Sequence, residues 1–118
     1  MQHLPPIAFN ASQTLGKIGS RPSYFTRSEL IAILRVYGRR VAMGDWRDYA
    51  IDYLHGRAVF SIYRSHRETP IFTVEKHWVK SRRAWQYALA DRRRFIKTAQ
   101  QFEVIVRALT NLPRLVQY

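Results

Sequence analysis

The sequence predicts an α+β fold: an antiparallel sheet of four to five strands covered by two amphipathic helices, in the order α-β-β-β-β-β-α. Three observations carry that expectation. Thr26 and Glu29 form a capping box at the head of a helical repeat. His55-Gly56 separates two alternating segments, "DYAIDYL" and "RAVFSIYR", as a two-residue hairpin turn does. Phe102, Ile105, Val106 and Leu109 then recur at helical spacing before Pro113.

The first 22 residues contain Pro5, Pro6, Gly16, Gly19 and Pro22 without sustained periodicity, and read as a flexible tail. Residues 23–118 are long enough for one packed domain. The first helix is expected from Arg27 to about Met43, with Phe25 and Leu30 as its hydrophobic staple and Gly44 as its left-handed stop. Leu30, Ile33, Leu34, Tyr37 and Val41 mark its expected buried stripe. Arg35 and Arg39, with Arg40 nearby, mark the solvent side. Gly38 costs about 1 kcal/mol against alanine inside a helix, so either a neighbour packs closely there or the helix is weakened.

A two-residue turn at His55-Gly56 sets the register of the first hairpin. It pairs Leu54 with Arg57, Tyr53 with Ala58, Asp52 with Val59 and Ile51 with Phe60. Ala50 then meets Ser61, Tyr49 meets Ile62 and Asp48 meets Tyr63. One face collects Tyr49, Ile51, Tyr53, Ala58, Phe60 and Ile62, and the other is mostly polar, the pattern of a half-buried sheet. Trp46 is expected to pin the helix to this sheet. Pro70 opens a third strand, "IFTVEKH", and "WVKSRR" connects it to a second hairpin, "WQYALAD" and "RFIKT", turning near Asp91-Arg92. Thr98 and Gln101 suggest a second capping box, for a closing helix from about Ala99 to Leu112.

Residues 25–112 resemble a small bacterial family of uncharacterised proteins, the domain of unknown function numbered two-seven-nine-four. The likeness rests on "RSELIAILRVYGRRVAMGDWRDYAIDYLHGRAVFSIYR", on "PIFTVEK" and on the spacing of the final helix, and it is close between Tyr37 and Phe60. The family tends to carry a glycine before the fourth strand, where this chain has Ala84-Trp85. The resemblance implies a bacterial, intracellular protein and transfers no catalytic residue.

Chemistry finds little purchase. With no cysteine there are no disulfides and no thiolate ligands or nucleophiles. The N-terminus lacks the pattern of a secretory signal, and no apolar run reaches bilayer length, so the expected location is cytoplasmic. The hairpin topology puts His66 far from His55 and His77, so three ligands do not converge on one metal. An edge histidine pair stays open, with ordinary solvated histidines the favoured reading and no metal site expected. Asp48 and Asp52 stand roughly 13 Å apart on a strand, too far to share a metal. Asp45, beyond a helix end, needs a basic neighbour such as Arg47. Ser28 and Ser61 have no His or acid partner, and no phosphate-binding glycine motif occurs. No enzyme activity and no cofactor are expected.

Charge is the strongest signal. Twenty Lys and Arg against eight Asp and Glu give a net +12, which points to a polyanionic partner. Between Val79 and Lys97 stand Lys80, Arg82, Arg83, Arg92, Arg93, Arg94 and Lys97 against Asp91 alone; seven minus one is +6, half of the excess. The two ends of this segment are expected to meet and cluster these residues, with Arg35 and Arg39 adding contacts from the first helix. Arginine forks suit phosphate. Trp85 and Tyr87 interleave with the cluster, either as base-stacking rings or as core. No helix-turn-helix pattern is present, and the first hairpin turns its aromatics inward, so phosphate contact with low sequence selectivity is expected. The expected partner is nucleic acid, DNA or RNA. The alternative is an adaptor docking on an acidic protein or large complex. A membrane partner is disfavoured because the basic cluster lies on strands and a loop.

Overall fold

A computed structural model describes residues 23–65 and 69–114 and has the expected α+β architecture. Helix α1 (Arg27–Ala42) precedes strands β1 (Asp48–Leu54), β2 (Arg57–Tyr63), β3 (Phe72–Val79), β4 (Ala84–Asp91) and β5 (Phe95–Ala99), and helix α2 (Phe102–Thr110) follows. The strands form one antiparallel sheet in sequence order. The expected tail, residues 1–22, lies outside the described residues, as does His66.

The capping box starts α1 as its sequence dictates. Thr26 Oγ1 accepts from the Glu29 amide at 3.1 Å, and the Thr26 amide donates to Glu29 Oε1 at 2.8 Å. Gly44 ends the helix region at φ 79°, a conformation glycine adopts without steric cost. The buried stripe is rotated from the expected one. Glu29, Ile33, Val36 and Arg40 face inward, Leu30 and Tyr37 pack at its margins, and Leu34 and Val41 are exposed. Arg40, expected among the solvent-side arginines, is buried. Hydrophobic periodicity misses this because Glu29 and Arg40 enter the interior fully partnered, and a partnered charge can be buried where an unpartnered one cannot. Nothing lies within 4 Å of a Cβ built on Gly38, so close packing does not explain that glycine.

The first hairpin has the register read from its turn, in all seven pairs. Ala58, Phe60 and Ile62 are buried, with Ile51 and Tyr53 packed against them. Tyr49 is the exception at 41 % exposure. It lies on the edge strand, where its ring stacks on Phe60 at 4.9 Å and meets the Tyr37 ring edge-on at 5.0 Å. Trp46 does pin α1 to the sheet. It is 2 % exposed, lies 6.2 Å from the rings of both Tyr37 and Phe72, and carries the Arg40 guanidinium 5.0 Å above it.

Two boundaries differ from expectation. β3 runs on to Trp78 and Val79, paired with Trp85 and Ala84. α2 starts later than expected, because Thr98 and Ala99 continue β5 opposite Ala88 and Tyr87. Gln101 becomes the N-cap, with no side-chain capping bond, so the second capping box does not form. Phe102, Ile105, Val106 and Leu109 line the inner side of α2 as read from their spacing. Both helices cover the face bearing Phe60, Val74 and Leu89, and they run in the same sense. Near their starts Tyr87 touches Glu29 and Phe102; near their ends Arg40 reaches the carbonyls of Thr110 and Leu112.

Candidate nucleic-acid interface

The expected basic cluster is two clusters. Lys80, Arg82 and Arg83 form the β3–β4 turn, and Arg92, Arg93 and Arg94 form the β4–β5 turn. These turns cap opposite ends of β4, whose eight residues span roughly 23 Å at about 3.3 Å per residue. The ends of the segment do not meet, because Lys97 pairs with Leu89, five residues from the start of β4, before the chain has returned to the β3–β4 turn. Lys97 sits between the clusters on the edge strand, opposite Leu89.

The β4–β5 turn is built by Asp91, whose Oδ1 accepts from the amides of Arg93 at 2.8 Å and Arg94 at 3.0 Å. Burial works against its ionisation, but those two amides and the charges of Arg94 and Arg93 outweigh it and hold the carboxyl below the usual range. Arg92 turns back, donating to the carbonyls of Pro70 at 3.2 Å and Thr69 at 2.9 Å, and so ties this turn to the β2–β3 connection. Arg93 and Arg94 are exposed. The same end of the sheet receives the end of α1, through Trp46 on Phe72 and the Arg47 amide on the Tyr63 carbonyl. That brings Arg39 of the last helical turn to this end, together with Arg47, Arg64 and Arg114. Arg35 stands exposed midway along α1. Arg47, Arg64 and Arg114 were not legible as partners of the cluster, since only the register shows which end of each element they share.

The β3–β4 turn has a different character. Arg82 Nη2 donates to Gln86 Oε1 at 2.7 Å, and Arg83 adopts φ 50°, a left-handed conformation seldom used by a residue with a Cβ. Beside the turn, the Trp78 and Trp85 rings meet edge-on at 4.9 Å. Trp85 is half-buried and Trp78 is 41 % exposed. Tyr87 is core: it is buried, and its hydroxyl donates to Glu29 Oε2 at 2.6 Å.

Several carboxylates turn inward to partners within the fold. Glu29 accepts from Tyr87, from Lys76 Nζ at 2.9 Å and from the Thr26 amide, and these bonds overcome the opposing effect of burial to lower its pKa. Burial, followed by the Glu29 carboxylate, pushes the Tyr87 hydroxyl far up. Asp45 pairs with Arg40 at 2.7 Å, a basic neighbour on α1 that its sequence position did not single out. Glu75 binds His77 Nε2 at 2.8 Å and accepts from Thr73 at 2.9 Å; its burial is likewise outweighed, and its pKa is lowered. Glu29, Asp45 and Glu75 are thus committed to ionic partners within the fold.

A cleft of about 700 Å³ opens between the first turns of α1 and α2, lined by Ser28, Tyr87, Phe102, Glu103 and Arg107 among others. None of the basic residues expected to bind a partner lines it. Among the described residues no group of three His, Cys, Asp or Glu could hold a metal ion, and no helix is long and apolar enough to cross a membrane. No curated protein and no solved structure matches the chain. A family model described as "Protein of unknown function (DUF2794)" matches residues 23–106, from the lead into α1 through the first turns of α2, and the chain belongs to that family.

Proposed function

We propose that this chain is a small, non-enzymatic basic module that binds nucleic acid, mainly through phosphate contacts and with low sequence selectivity, in a bacterial cytoplasm. The observation that carries the proposal is the pair of basic turns at the two ends of β4, with Lys97 between them on an edge strand and Asp91 consumed by its own turn. Arg93 and Arg94 are exposed and their forks make no hydrogen bond to a described residue, which leaves them open to phosphate. The roughly 23 Å between the turns equals about seven base steps at 3.4 Å per step along one strand, so one nucleic-acid segment can engage both.

Replacing Arg92, Arg93 and Arg94 together by Glu tests this. The triple variant should lose retention on DNA and RNA at physiological salt. Retention equal to the parent's would remove these residues from the site. A second reading, an adaptor docking on an acidic protein, draws on Phe95 and Ile96, which are exposed beside the same arginines. An apolar pair next to cations suits a protein surface, and Phe95→Ser with Ile96→Ser should weaken that partner while sparing nucleic acid.

A further inference from the structure

We propose that the end of the molecule carrying Tyr24, Trp78 and Trp85 stacks the bases of a single strand, so that the nucleic acid this chain prefers is single-stranded. The inference rests on the nucleic-acid reading above and adds the strand type. A duplex presents its phosphates but hides the faces of its bases, so exposed rings give a pure backbone reader no advantage. Unpaired bases, in contrast, offer π faces to any aromatic platform, whatever their sequence.

The platform is built by the limits of the helix layer. Lys76, Trp78, Trp85 and Tyr87 share the helix-covered face of β3 and β4. α1 reaches this face as far as Lys76 and Tyr87, which it meets through Glu29, and the next cross-strand pair on the face, Trp78 with Trp85, is left at the margin. Internal contacts hold the rings. Trp85 lies 4.6 Å from the Lys76 ammonium on one side and against Trp78 on another. The same ammonium donates to the Tyr24 carbonyl at 2.9 Å. The Tyr24 ring, 56 % exposed, is itself braced edge-on by Tyr53 at 4.7 Å. The buried Lys76 ammonium thus ties Trp85 to the Tyr24 backbone, with the exposed Trp78 ring resting on Trp85 and the exposed Tyr24 ring on Tyr53.

Charge complements the rings. The adjoining turn supplies Lys80, Arg82 and Arg83 and contains no acid, and Arg83 is held in a left-handed conformation that the turn imposes. Bases seated on Trp78 and Tyr24 leave their phosphates toward these three cations. Sequence-tolerant stacking of this kind agrees with a module of low selectivity.

The test is fluorescence anisotropy with a fluorescein-labelled single-stranded DNA, its duplex, and an abasic strand of the same length, near physiological salt. The single strand should bind more tightly than either of the others. Trp78→Ala should weaken the single strand by roughly 5- to 150-fold, the range for losing one stacked base, and should hardly change the abasic strand. Trp78→Phe should keep most of the affinity. The comparison of natural and abasic strands uses the parent protein, so it stands whatever the stability of the variants. Equal affinity for natural and abasic strands, or a duplex bound more tightly than the single strand, would overturn the stacking site while leaving phosphate binding intact. Failure of all three probes to bind would instead sink the nucleic-acid reading, and the stacking site with it.

Discussion

Arg40 and Asp45 form an ion pair at 2.7 Å, with both side chains almost wholly out of solvent, where α1 gives way to the sheet. The same guanidinium donates to the carbonyls of Thr110 and Leu112 at the end of α2. Arg114, beyond α2, donates in return to the Met43 carbonyl at the end of α1. Each helix thus supplies, or leads to, the cation that satisfies terminal carbonyls of the other, where helix dipoles favour positive charge.

Breaking this clasp from one side should be costly. Asp45→Ala leaves a buried guanidinium without its counter-ion and should destabilise by about 3–5 kcal/mol, measured by urea denaturation. Arg40→Met combined with Asp45→Ala should cost less than the two single changes summed, since neither charge is then stranded. Strict additivity would show that the pair is not coupled.

Trp46→Ala should cost about 3–5 kcal/mol, because a fully buried indole is removed from between α1 and the sheet. Trp46→Phe should cost much less. The indole Nε1 has no hydrogen-bond partner among the described residues, so no bond is lost with it. An unchanged melting temperature for Trp46→Ala would contradict the packing described.

Acid should unfold the protein through Glu29 and Glu75. Burial of both is outweighed by their hydrogen bonds, which leave the native pKa values below the ordinary 4.5. The folded state then binds fewer protons than the unfolded chain, so the contribution is complete above the ordinary glutamate value and is lost as pH falls through the lowered one. Asp52 has the opposite sign: burial raises its pKa, so its ionisation opposes folding as pH rises. Asp52→Asn should raise the melting temperature at neutral pH and leave it unchanged in strong acid. Glu29→Gln should lower it at neutral pH and flatten the acid limb.

Two glycines should respond in opposite directions. Gly38→Ala meets open space in a helix and should stabilise by up to about 1 kcal/mol. Gly56→Ala must hold φ 69° in the hairpin turn and should destabilise. Thermal melts of the two variants decide both.

Where local chemistry sets structure, the sequence was legible. The Thr26–Glu29 box and the His55-Gly56 turn each involve a few neighbouring residues, and each came out in the expected atoms or pairs. Legibility failed where long-range partners decide. Arg40 and Lys76 look like surface cations until Asp45 and the α2 carbonyls, or Glu29 and Trp85, are brought to them. The basic segment failed for a related reason. Its composition says that seven cations lie close in sequence, but β4 carries six of them to opposite ends of the sheet and leaves Lys97 between. Trp78 escaped notice because its exposure depends on where α1 stops covering β3, which no pattern within the strand records.

The most direct test of the nucleic-acid claim is affinity for labelled DNA and RNA as a function of salt, from low to physiological concentration. The logarithm of the binding constant should fall linearly with the logarithm of salt, with a slope of about −0.9 per phosphate and roughly four to six contacts on a duplex. Reversal of Arg92, Arg93 and Arg94 should make that slope shallower by about the contacts removed. No binding to any strand type at low salt would contradict the account and leave the charged turns facing a protein.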